Sequence, residues 1–173
     1  AATKSGFQAA KANHADVLVT LDGDGQHNPD EIPMLVSPIS DNKADLVIGS
    51  RFPQQTQQTL QTLPTPQTNI RRYRKFGIDV ITWLYNLGSR VKITDSQCCF
   101  RAHSQRLLDS IDITETGFGF SVEVLTKARK KGLIITEVPI SCVYHSQGSS
   151  LHPIPHGLGV ALSVIKHRLK ALI

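Results

Sequence analysis

Several features of membrane and secreted proteins are scarce in this sequence. No apolar run approaches the roughly 20 residues that a helix needs to cross a bilayer, and the start, AATKSGFQAAKANHAD, lacks the apolar stretch of a signal peptide. The only cysteines are Cys98, Cys99 and Cys142, and their spacing indicates neither a zinc site nor a disulfide framework. We therefore expect reduced, buried thiols and a cytoplasmic environment.

Aromatic residues are also few, and acidic residues are outnumbered by basic ones. Aromatic residues make up 6% of the chain, and 14 acidic residues face 19 lysines and arginines, which leaves a net charge of +5. This excess favours an anionic partner, such as a phosphate-bearing ligand, nucleic acid or acidic lipid. Nucleic acid is the least favoured of these partners. In nucleic-acid-binding surfaces, aromatic side chains alternate with basic ones, and here only Tyr73 lies in a basic run.

The chain does contain short apolar runs that alternate with amphipathic segments. Residues 17–21 and 45–49 predict short buried strands. Between them, Asn28 is placed as a helix N-cap, Pro29 as the first helical residue and Glu31 as the acid of a capping box. The order of strand, helix and strand predicts an α/β domain with a largely parallel sheet.

The second half of the chain continues this pattern. Helices are predicted over residues 70–88, 104–111 and 121–131. The alternating residues 133–144 predict a strand, which Pro139 limits to a sheet edge or a bulge. The apolar side of the helix at 70–88 is predicted to hold Ile70, Tyr73, Gly77, Val80, Ile81, Leu84 and Leu87.

Two segments stand apart in composition. Residues 53–69 are rich in Gln, Thr and Pro and predict a mobile loop, either a binding loop or a tolerated surface insertion. Residues 151–173 predict an amphipathic helix, which either packs on its own domain or lies on an anionic membrane. We therefore expect one domain over residues 1–150, followed by this helix.

Two carboxylates, Asp22 and Asp24, directly follow the first predicted strand. Open α/β sheets bind ligands at the carboxyl ends of their strands. A divalent cation relieves the repulsion of two such carboxylates, and Mg²⁺ adds water and phosphate oxygens to one or two of them. The pair therefore predicts a metal–diphosphate site, although a polar turn remains the alternative for so short a motif. An EF-hand is excluded, because His27 and Pro33 occupy the positions of its glycine and glutamate.

The start of the helix predicted at 70–88 is strongly basic, with Arg71, Arg72, Arg74 and Lys75. Cations at a helix N-terminus oppose the helix dipole. Their presence indicates a bound anion, or else an ordinary solvated basic face.

Four longer motifs extend the interpretation: VLVTLDGDGQHNPDEIPMLV, ADLVIGSRF, DSQCCFRA and GFGFSVEVLTKARKKGLIITEVPI. In this order they resemble the family 2 glycosyltransferases, in particular those of the dolichyl-phosphate mannose synthase or polyprenyl-phosphate type. The resemblance implies the GT-A fold, a Rossmann-like mixed sheet flanked by helices. It also implies that the first strands, which hold the nucleotide base, lie upstream, so we expect a truncated catalytic domain.

The resemblance also implies roles for individual residues. Asp22 and Asp24 match the metal- and diphosphate-binding DxD pair, with Gln26 near the metal, which would be Mg²⁺ or Mn²⁺. Arg51 matches an arginine that faces the acceptor. Further candidates for binding the acceptor phosphate are Arg71, Arg72, Arg74 and Ser149.

Asp95 matches the acidic residue of the family's D-x-x-S-G-F-R stretch. If the acceptor is a hydroxyl, we expect Asp95 to be the catalytic base; its structural alternatives are an N-cap or a partner of Arg101. Cys99 stands where that stretch usually has glycine, which leaves the geometry of the loop open.

The predicted function is metal-dependent, inverting transfer of a sugar from a nucleotide-diphosphate donor to a polyprenyl (dolichyl) phosphate. We expect it at the cytoplasmic face of a membrane. The alternatives are a nucleotidyltransferase with the same acidic metal site and a non-enzymatic, basic nucleic-acid-binding module.

Overall fold

The structure, a computed structural model, describes residues 2–52, 70, 72–89, 91–115 and 119–144. The loop predicted at 53–69 and the helix predicted at 151–173 lie outside these ranges, so the division into a domain and a terminal helix stays a prediction. None of the helices within the described ranges has the length and apolar character to cross a membrane.

The elements alternate along the chain. They are α1 (Ala2–Ala12), β1 (Val17–Thr20), a short 3-10 helix (Pro29–Glu31), α2 (Ile32–Ser40), β2 (Leu46–Ser50), α3 (Arg72–Asn86), β3 (Arg101–Ser104), α4 (Gln105–Ser110), α5 (Phe120–Lys130) and β4 (Ile135–Pro139). The predicted strands and helices within the described ranges therefore form, with ends shifted by a few residues.

The four described strands form one mixed sheet in the order β1-β3-β2-β4. β2 and β4 are parallel, whereas β3 is antiparallel to both of its neighbours, β1 and β2. The predicted mixed sheet is confirmed, but the expectation of a largely parallel one was wrong. The direction of a strand depends on the path of its connections, which the apolar pattern of the strand itself does not record.

This topology gathers several loops at one end of the sheet. Because β1, β2 and β4 point the same way and β3 points the opposite way, three carboxyl ends lie beside one amino end. Thr20 of β1 and Ile48 of β2 both pair with Arg101, the first residue of β3. We call this the carboxyl end of the sheet. The segments that follow β1, β2 and β4, and the one that precedes β3, lie there side by side.

The core packs around β2, which is buried along its whole length. It lies between β3 and β4 in the sheet, and α2 packs against it. α5 adds Val124, Leu125 and Ala128 to the same cluster. The unbroken apolar run of β2 is what a strand covered on both faces requires.

The start of α2 differs from the prediction in one contact. Asn28 does cap the 3-10 helix, since its side chain accepts the N–H of Asp30 at 3.1 Å, and Pro29 is the first helical residue. The capping box was wrong. Glu31 instead accepts the N–H of Ser141 at 3.0 Å and its hydroxyl at 2.6 Å. Local spacing could not reveal a partner 110 residues away.

The strand predicted over residues 133–144 is shorter than its pattern suggested. β4 ends at Pro139 and lies at the edge of the described sheet, as the proline indicated. Beyond it, Cys142 forms an isolated bridge with His27, and the N–H of Val143 donates to the carbonyl of Gln26 at 2.9 Å. The segment after β4 therefore runs along the loop after β1.

The apolar side predicted for α3 was right in part: Ile81 is buried and Leu84 packs beside it, but other predicted members are exposed. The buried residues are Ile81, Thr82 and Tyr85, whereas Tyr73 and Val80 are 51% and 39% exposed. α3 carries apolar residues on two sides, so periodicity alone could not choose the side that packs.

The three cysteines are free thiols, and Cys98 and Cys142 are buried, which confirms the expectation of unpaired thiols. Cys99 is compatible with its loop. Among the described residues other than glycine, only His14 and Asn42 have a positive φ, so Cys99 does not need the backbone conformation that favours glycine.

His103 is a fully buried histidine in β3. Its ring packs edge-on against Phe7, with 4.8 Å between the ring centroids. The hydroxyl of Thr20 donates its one hydrogen to the carbonyl of Cys99 at 3.0 Å, so Nε2 of His103 must donate to that hydroxyl at 3.3 Å. Burial, with a further contribution from Arg101, lowers the pKa of His103 to about 3. The ring is therefore neutral in the folded protein.

Acidification should destabilise the fold through His103. The unfolded chain binds a proton at this histidine near pH 6.5, but the folded protein does not until the pH falls to the lowered pKa of about 3. The stabilising contribution is complete above pH 6.5 and is lost as the pH falls, by at most about 1.4 kcal/mol per pH unit. Urea unfolding followed between about pH 7 and pH 4.5 should show this loss in the free energy of unfolding.

The substitution His103→Gln keeps an N–H donor for Thr20 but does not titrate. Its free energy of unfolding should fall less steeply with pH than that of the wild type. The exposed His14 gives a matched control, and His14→Gln should keep the wild-type slope. Identical slopes for wild type and His103→Gln would show that the buried ring is not the source of the pH dependence.

Candidate active site

The two predicted metal ligands lie in the loop after β1. Asp22 and Asp24 are both exposed at the carboxyl end of the sheet. Oδ1 of Asp24 accepts the backbone N–H of Gln26 at 3.1 Å, and Gly25 has a φ of 71°, which few other residues would adopt there. The loop therefore turns tightly and presents two carboxylates to solvent.

The chemistry of this pair fits a hard cation. Within the described ranges, no three His, Cys, Asp or Glu side chains come together as a metal-binding group. Asp22 and Asp24 would thus supply two carboxylates, and phosphate and water oxygens would complete the coordination. Mg²⁺ is bound in this way, whereas a structural zinc site needs four protein ligands.

A buried ion pair connects the segment after β2 to the segment before β3. Arg51 donates from Nε to Asp95 at 2.7 Å and from an Nη atom at 2.9 Å, with both carboxylate oxygens engaged. The side chains are 10% and 0% exposed. Burial alone would lower the pKa of Arg51, but Asp95 outweighs it and raises this pKa well above its ordinary value. The guanidinium is therefore charged at any physiological pH.

Neither predicted structural alternative for Asp95 occurs. No helix in the described chain starts at Asp95; Oδ1 instead accepts the N–H of Gln97, a turn contact, at 3.2 Å. Arg101 is not its partner, because the buried guanidinium of Arg101 donates to three backbone carbonyls. These belong to Cys98 at 2.8 Å, Ser96 at 2.8 Å and Ser121 at 2.9 Å. The role of Asp95 as a base stays a prediction.

Glu137 of β4 holds the segment that carries Asp95. Its carboxylate accepts the N–H and the hydroxyl of Thr94, and the N–H of Asp95 at 3.0 Å. Thr94 in turn lies 2.6 Å from the hydroxyl of Ser50, at the end of β2. These contacts fix Asp95 beside the carboxyl end of β2, directly next to Arg51.

Tyr144 joins two of the predicted arginines. An Nη atom of Arg51 donates to its hydroxyl at 2.6 Å, and the guanidinium of Arg74 lies over its ring, 5.5 Å from the centroid. Burial raises the pKa of Tyr144 to about 12, although Arg51 opposes this, so the phenol is protonated at neutral pH. In the sequence, Tyr144 is only the end of an alternating run, and this pattern does not predict the contact with Arg51.

The helix geometry separates the candidate arginines. Side chains two positions apart on a helix point about 200° apart. Arg74 lies over the ring of Tyr144, so Arg72 points away from this ring, and its side chain is exposed. Arg71 and Ser149, also predicted to bind the acceptor, lie outside the described residues.

His27 lies within electrostatic reach of both the acidic pair and Arg51. Burial lowers its pKa, as does the charge of Arg51, while Asp22 and Asp24 raise it. A single ring thus lies within electrostatic reach of both charged groups. Its Nδ1 has no hydrogen-bond partner within the described ranges, and its ring packs on Phe100. The sequence alone predicts no role for His27, because this residue directly precedes a helix start.

Known proteins resemble this chain in sequence. Residues 1–94 match the family model described as glycosyl transferase family 2. The chain is 34% identical to the UDP-N-acetylglucosamine–dolichyl-phosphate N-acetylglucosaminyltransferase of Methanococcus voltae, over 83% of this chain and 54% of that protein. It is 31% identical to the undecaprenyl-phosphate mannosyltransferase of Micrococcus luteus, over 84% of this chain and 57% of that protein. The chain thus spans about half the length of the curated relatives it matches.

The fold resembles that of a solved enzyme. A crystal structure of glucosyl-3-phosphoglycerate synthase from Mycobacterium tuberculosis, in complex with Mn²⁺ and UDP-glucose, matches with a TM-score of 0.56 at 18% identity. The match covers 95% of this chain and 53% of that one. The predicted GT-A fold is confirmed. Since the family model spans more than half of the 173 residues, and two relatives exceed 30% identity, the chain belongs to glycosyltransferase family 2, a family of sugar-transferring enzymes.

Proposed function

We propose that the protein transfers a sugar from a nucleotide-diphosphate donor to a polyprenyl phosphate. The observation that carries this proposal is the presence of an acidic group and a basic group together at the carboxyl end of the sheet. Asp22 and Asp24 follow β1, and Arg51, which follows β2, shares Tyr144 with Arg74 of α3. The charges of Asp22, Asp24 and Arg51 all reach His27. One group suits a cation-bound diphosphate, and the other suits an anionic acceptor.

The acidic pair would hold the donor through a divalent cation, Mg²⁺ or Mn²⁺. Such a cation neutralises the charge that develops on a departing diphosphate. The Mycobacterium tuberculosis enzyme of the same fold was crystallised with Mn²⁺ and UDP-glucose, which supports a divalent cation and a nucleotide sugar. Gln26 would stay near the cation, because its backbone N–H is tied to Asp24.

The arginines would hold the acceptor phosphate. Arg51 has five N–H donors, and in the described part of the chain its side chain uses three of them, on Asp95 and Tyr144. Two remain for phosphate oxygens, and Arg74 adds a second guanidinium beside Tyr144. The relatives named for dolichyl-phosphate and undecaprenyl-phosphate transfer support a lipid phosphate in this place.

The reaction would be a single displacement that inverts the anomeric carbon. A phosphate oxygen of the acceptor forms the new bond to this carbon while the bond to the donor diphosphate breaks. A phosphate monoester, with a second pKa near 6, is already largely ionised at pH 7 and needs no strong base. Asp95 then positions Arg51 rather than removing a proton, since its carboxylate already accepts four hydrogen bonds.

A hydroxyl acceptor is the second possibility, and it would need Asp95 as the base. The burial of Asp95 under Arg51 disfavours it. Nothing in the described residues favours the nucleotidyltransferase or the nucleic-acid-binding alternative over sugar transfer. The cytoplasmic face of a membrane stays the predicted location.

Replacing Asp24 should disable the donor site. Asp24→Asn keeps the size of the side chain but removes a charged oxygen ligand, so kcat/KM should fall about a hundredfold or more. The measurement is transfer of labelled sugar to polyprenyl phosphate during a titration with Mg²⁺ or Mn²⁺. Asp30→Asn, an exposed acid at the start of the 3-10 helix, is the matched control and should retain activity. Full activity of Asp24→Asn, or transfer in excess chelator, would refute the metal site.

The arginines of α3 should differ in their effect on the acceptor. Arg74→Gln should raise the KM for polyprenyl phosphate about tenfold or more, because a charge-assisted contact is lost, while the KM for the donor stays unchanged. Arg72 points away from Tyr144, so Arg72→Gln should leave the KM for polyprenyl phosphate and the KM for the donor near those of the wild type. A short-chain, water-soluble acceptor keeps membrane effects out of the assay. Equal effects of the two substitutions would contradict the assignment of Arg74.

A further inference from the structure

Tyr144 contacts two arginines that come from different elements. Arg51 follows β2, Arg74 lies in the first turn of α3, and Tyr144 follows β4. An Nη atom of Arg51 donates to the hydroxyl of Tyr144 at 2.6 Å, and the guanidinium of Arg74 lies over the ring, 5.5 Å from its centroid. The phenol therefore determines where the two guanidiniums lie relative to each other.

The two contacts use different parts of the tyrosine. The hydroxyl accepts a charge-assisted hydrogen bond from Arg51. The face of the ring, which carries the negative part of the aromatic quadrupole, attracts the guanidinium of Arg74. A substitution can therefore remove the hydroxyl and keep the ring, which separates the contact with Arg51 from the contact with Arg74.

The charges around this ring are not balanced. Asp95 pairs with Arg51, but none of the ion pairs within the described ranges includes Arg74. Tyr144 itself adds no negative charge, because burial raises its pKa to about 12 and the phenol stays protonated. One positive charge thus lies beside the ring without a carboxylate partner in the described chain, and an anion would complete the arrangement.

The loop after β1 fixes the segment that carries Tyr144. The N–H of Val143 donates to the carbonyl of Gln26 at 2.9 Å, and Cys142 forms a bridge with His27. Gln26 and His27 belong to the loop that carries the acidic pair. The backbone beside the ring is therefore held against the proposed donor site.

We infer that Tyr144 is a positioning residue, which holds Arg51 and Arg74 at the spacing at which both bind one phosphate monoester. This inference rests on the proposed function and adds a residue to its acceptor site. Each guanidinium can meet phosphate oxygens with a fork of N–H groups. An alcohol with the same hydrocarbon chain offers no such oxygens, so the site should select the monoester over the alcohol.

The physical reason is preorganisation. Two guanidiniums repel each other, and a long side chain on a helix loses rotamer entropy when it is held in place. Without the phenol, the acceptor would have to order Arg51 and Arg74 as it binds, and this cost would weaken its affinity. With the phenol, much of the ordering precedes binding. The effect should therefore appear in the affinity for the acceptor and leave the KM for the nucleotide sugar unchanged.

Titration calorimetry with a short-chain, water-soluble prenyl phosphate measures this affinity without the transfer reaction. Tyr144→Phe keeps the ring but loses the hydrogen bond from Arg51, so the Kd should rise about fivefold. Tyr144→Leu loses both contacts, and the Kd should rise about thirtyfold. Because Tyr144→Phe keeps nearly the whole side chain, it tests the contact with Arg51 even if Tyr144→Leu does not fold.

Two further probes identify the part of the acceptor that the arginines bind. Inorganic phosphate should bind more weakly than prenyl phosphate, but the variants should lose affinity for it in the same order. The prenyl alcohol should bind wild type and variants equally weakly. Inorganic phosphate that binds as tightly as prenyl phosphate would assign the site to free phosphate and overturn the inference.

A double-mutant cycle separates positioning from a purely structural role. Arg74→Gln should weaken prenyl phosphate binding about tenfold in the wild type and in Tyr144→Phe, but only about twofold in Tyr144→Leu, where Arg74 is no longer held. A tyrosine that only stabilises the fold would give the same loss in all three backgrounds. Urea unfolding of each variant measures the stability separately.

Tyr73, the neighbour of Arg74 in α3, supplies the matched control. It is 51% exposed, and Tyr73→Leu should leave the Kd for prenyl phosphate unchanged. Equal losses in Tyr73→Leu and Tyr144→Leu, or a wild-type Kd in Tyr144→Leu, would refute the inference and leave the proposed function standing. A wild type that binds no prenyl phosphate would overturn the proposed acceptor and this inference together.

Discussion

The buried pair of Arg51 and Asp95 is the contact on which the arrangement of the candidate site depends. Removing two charges from water costs several kcal/mol each, and only good geometry offsets that cost. Here both carboxylate oxygens meet the guanidinium, and Tyr144 accepts a further N–H. Loss of either charged partner would leave the other buried and uncompensated, at a cost of about 3–5 kcal/mol. The ends of β2 and β4 and the segment before β3 are therefore held as one unit.

Three further carboxylates act as links between separate segments rather than as reactive groups. Glu31 ties the start of α2 to Ser141, and Glu137 ties β4 to the segment that carries Asp95. Glu123 of α5 accepts the N–H of Thr114; burial opposes its ionisation, but hydrogen bonds from Lys127 and Thr114 outweigh this and lower its pKa to about 2. These acids are committed to backbone N–H groups. The exposed acids at the carboxyl end of the sheet, Asp22 and Asp24, are thereby distinguished from them.

The sequence predicted what depends on local pattern and failed where a distant partner decides. β2 was identifiable because it is a short unbroken apolar run, α5 because its apolar residues recur at helical spacing, and Asp22 and Asp24 because they follow a strand. The direction of β3, the inner face of α3 and the partner of Glu31 depend on contacts across the chain. Tyr144 shows the same limit, since its contact with Arg51 joins residues 93 positions apart. No spacing rule predicts such a pair, whereas the longer motifs were enough to identify the family of the chain.

The short bridge between the loop after β1 and the segment after β4 has a consequence for the order of binding. Gln26, two residues after Asp24, accepts the N–H of Val143, the neighbour of Tyr144. A ligand that stiffens one of these segments reduces the entropy that the second ligand must remove from the other. Under the proposed function, in which these segments hold donor and acceptor, the two ligands should then bind with positive cooperativity. Thermodynamic linkage requires the same coupling free energy in both directions, whichever of the two arrives first.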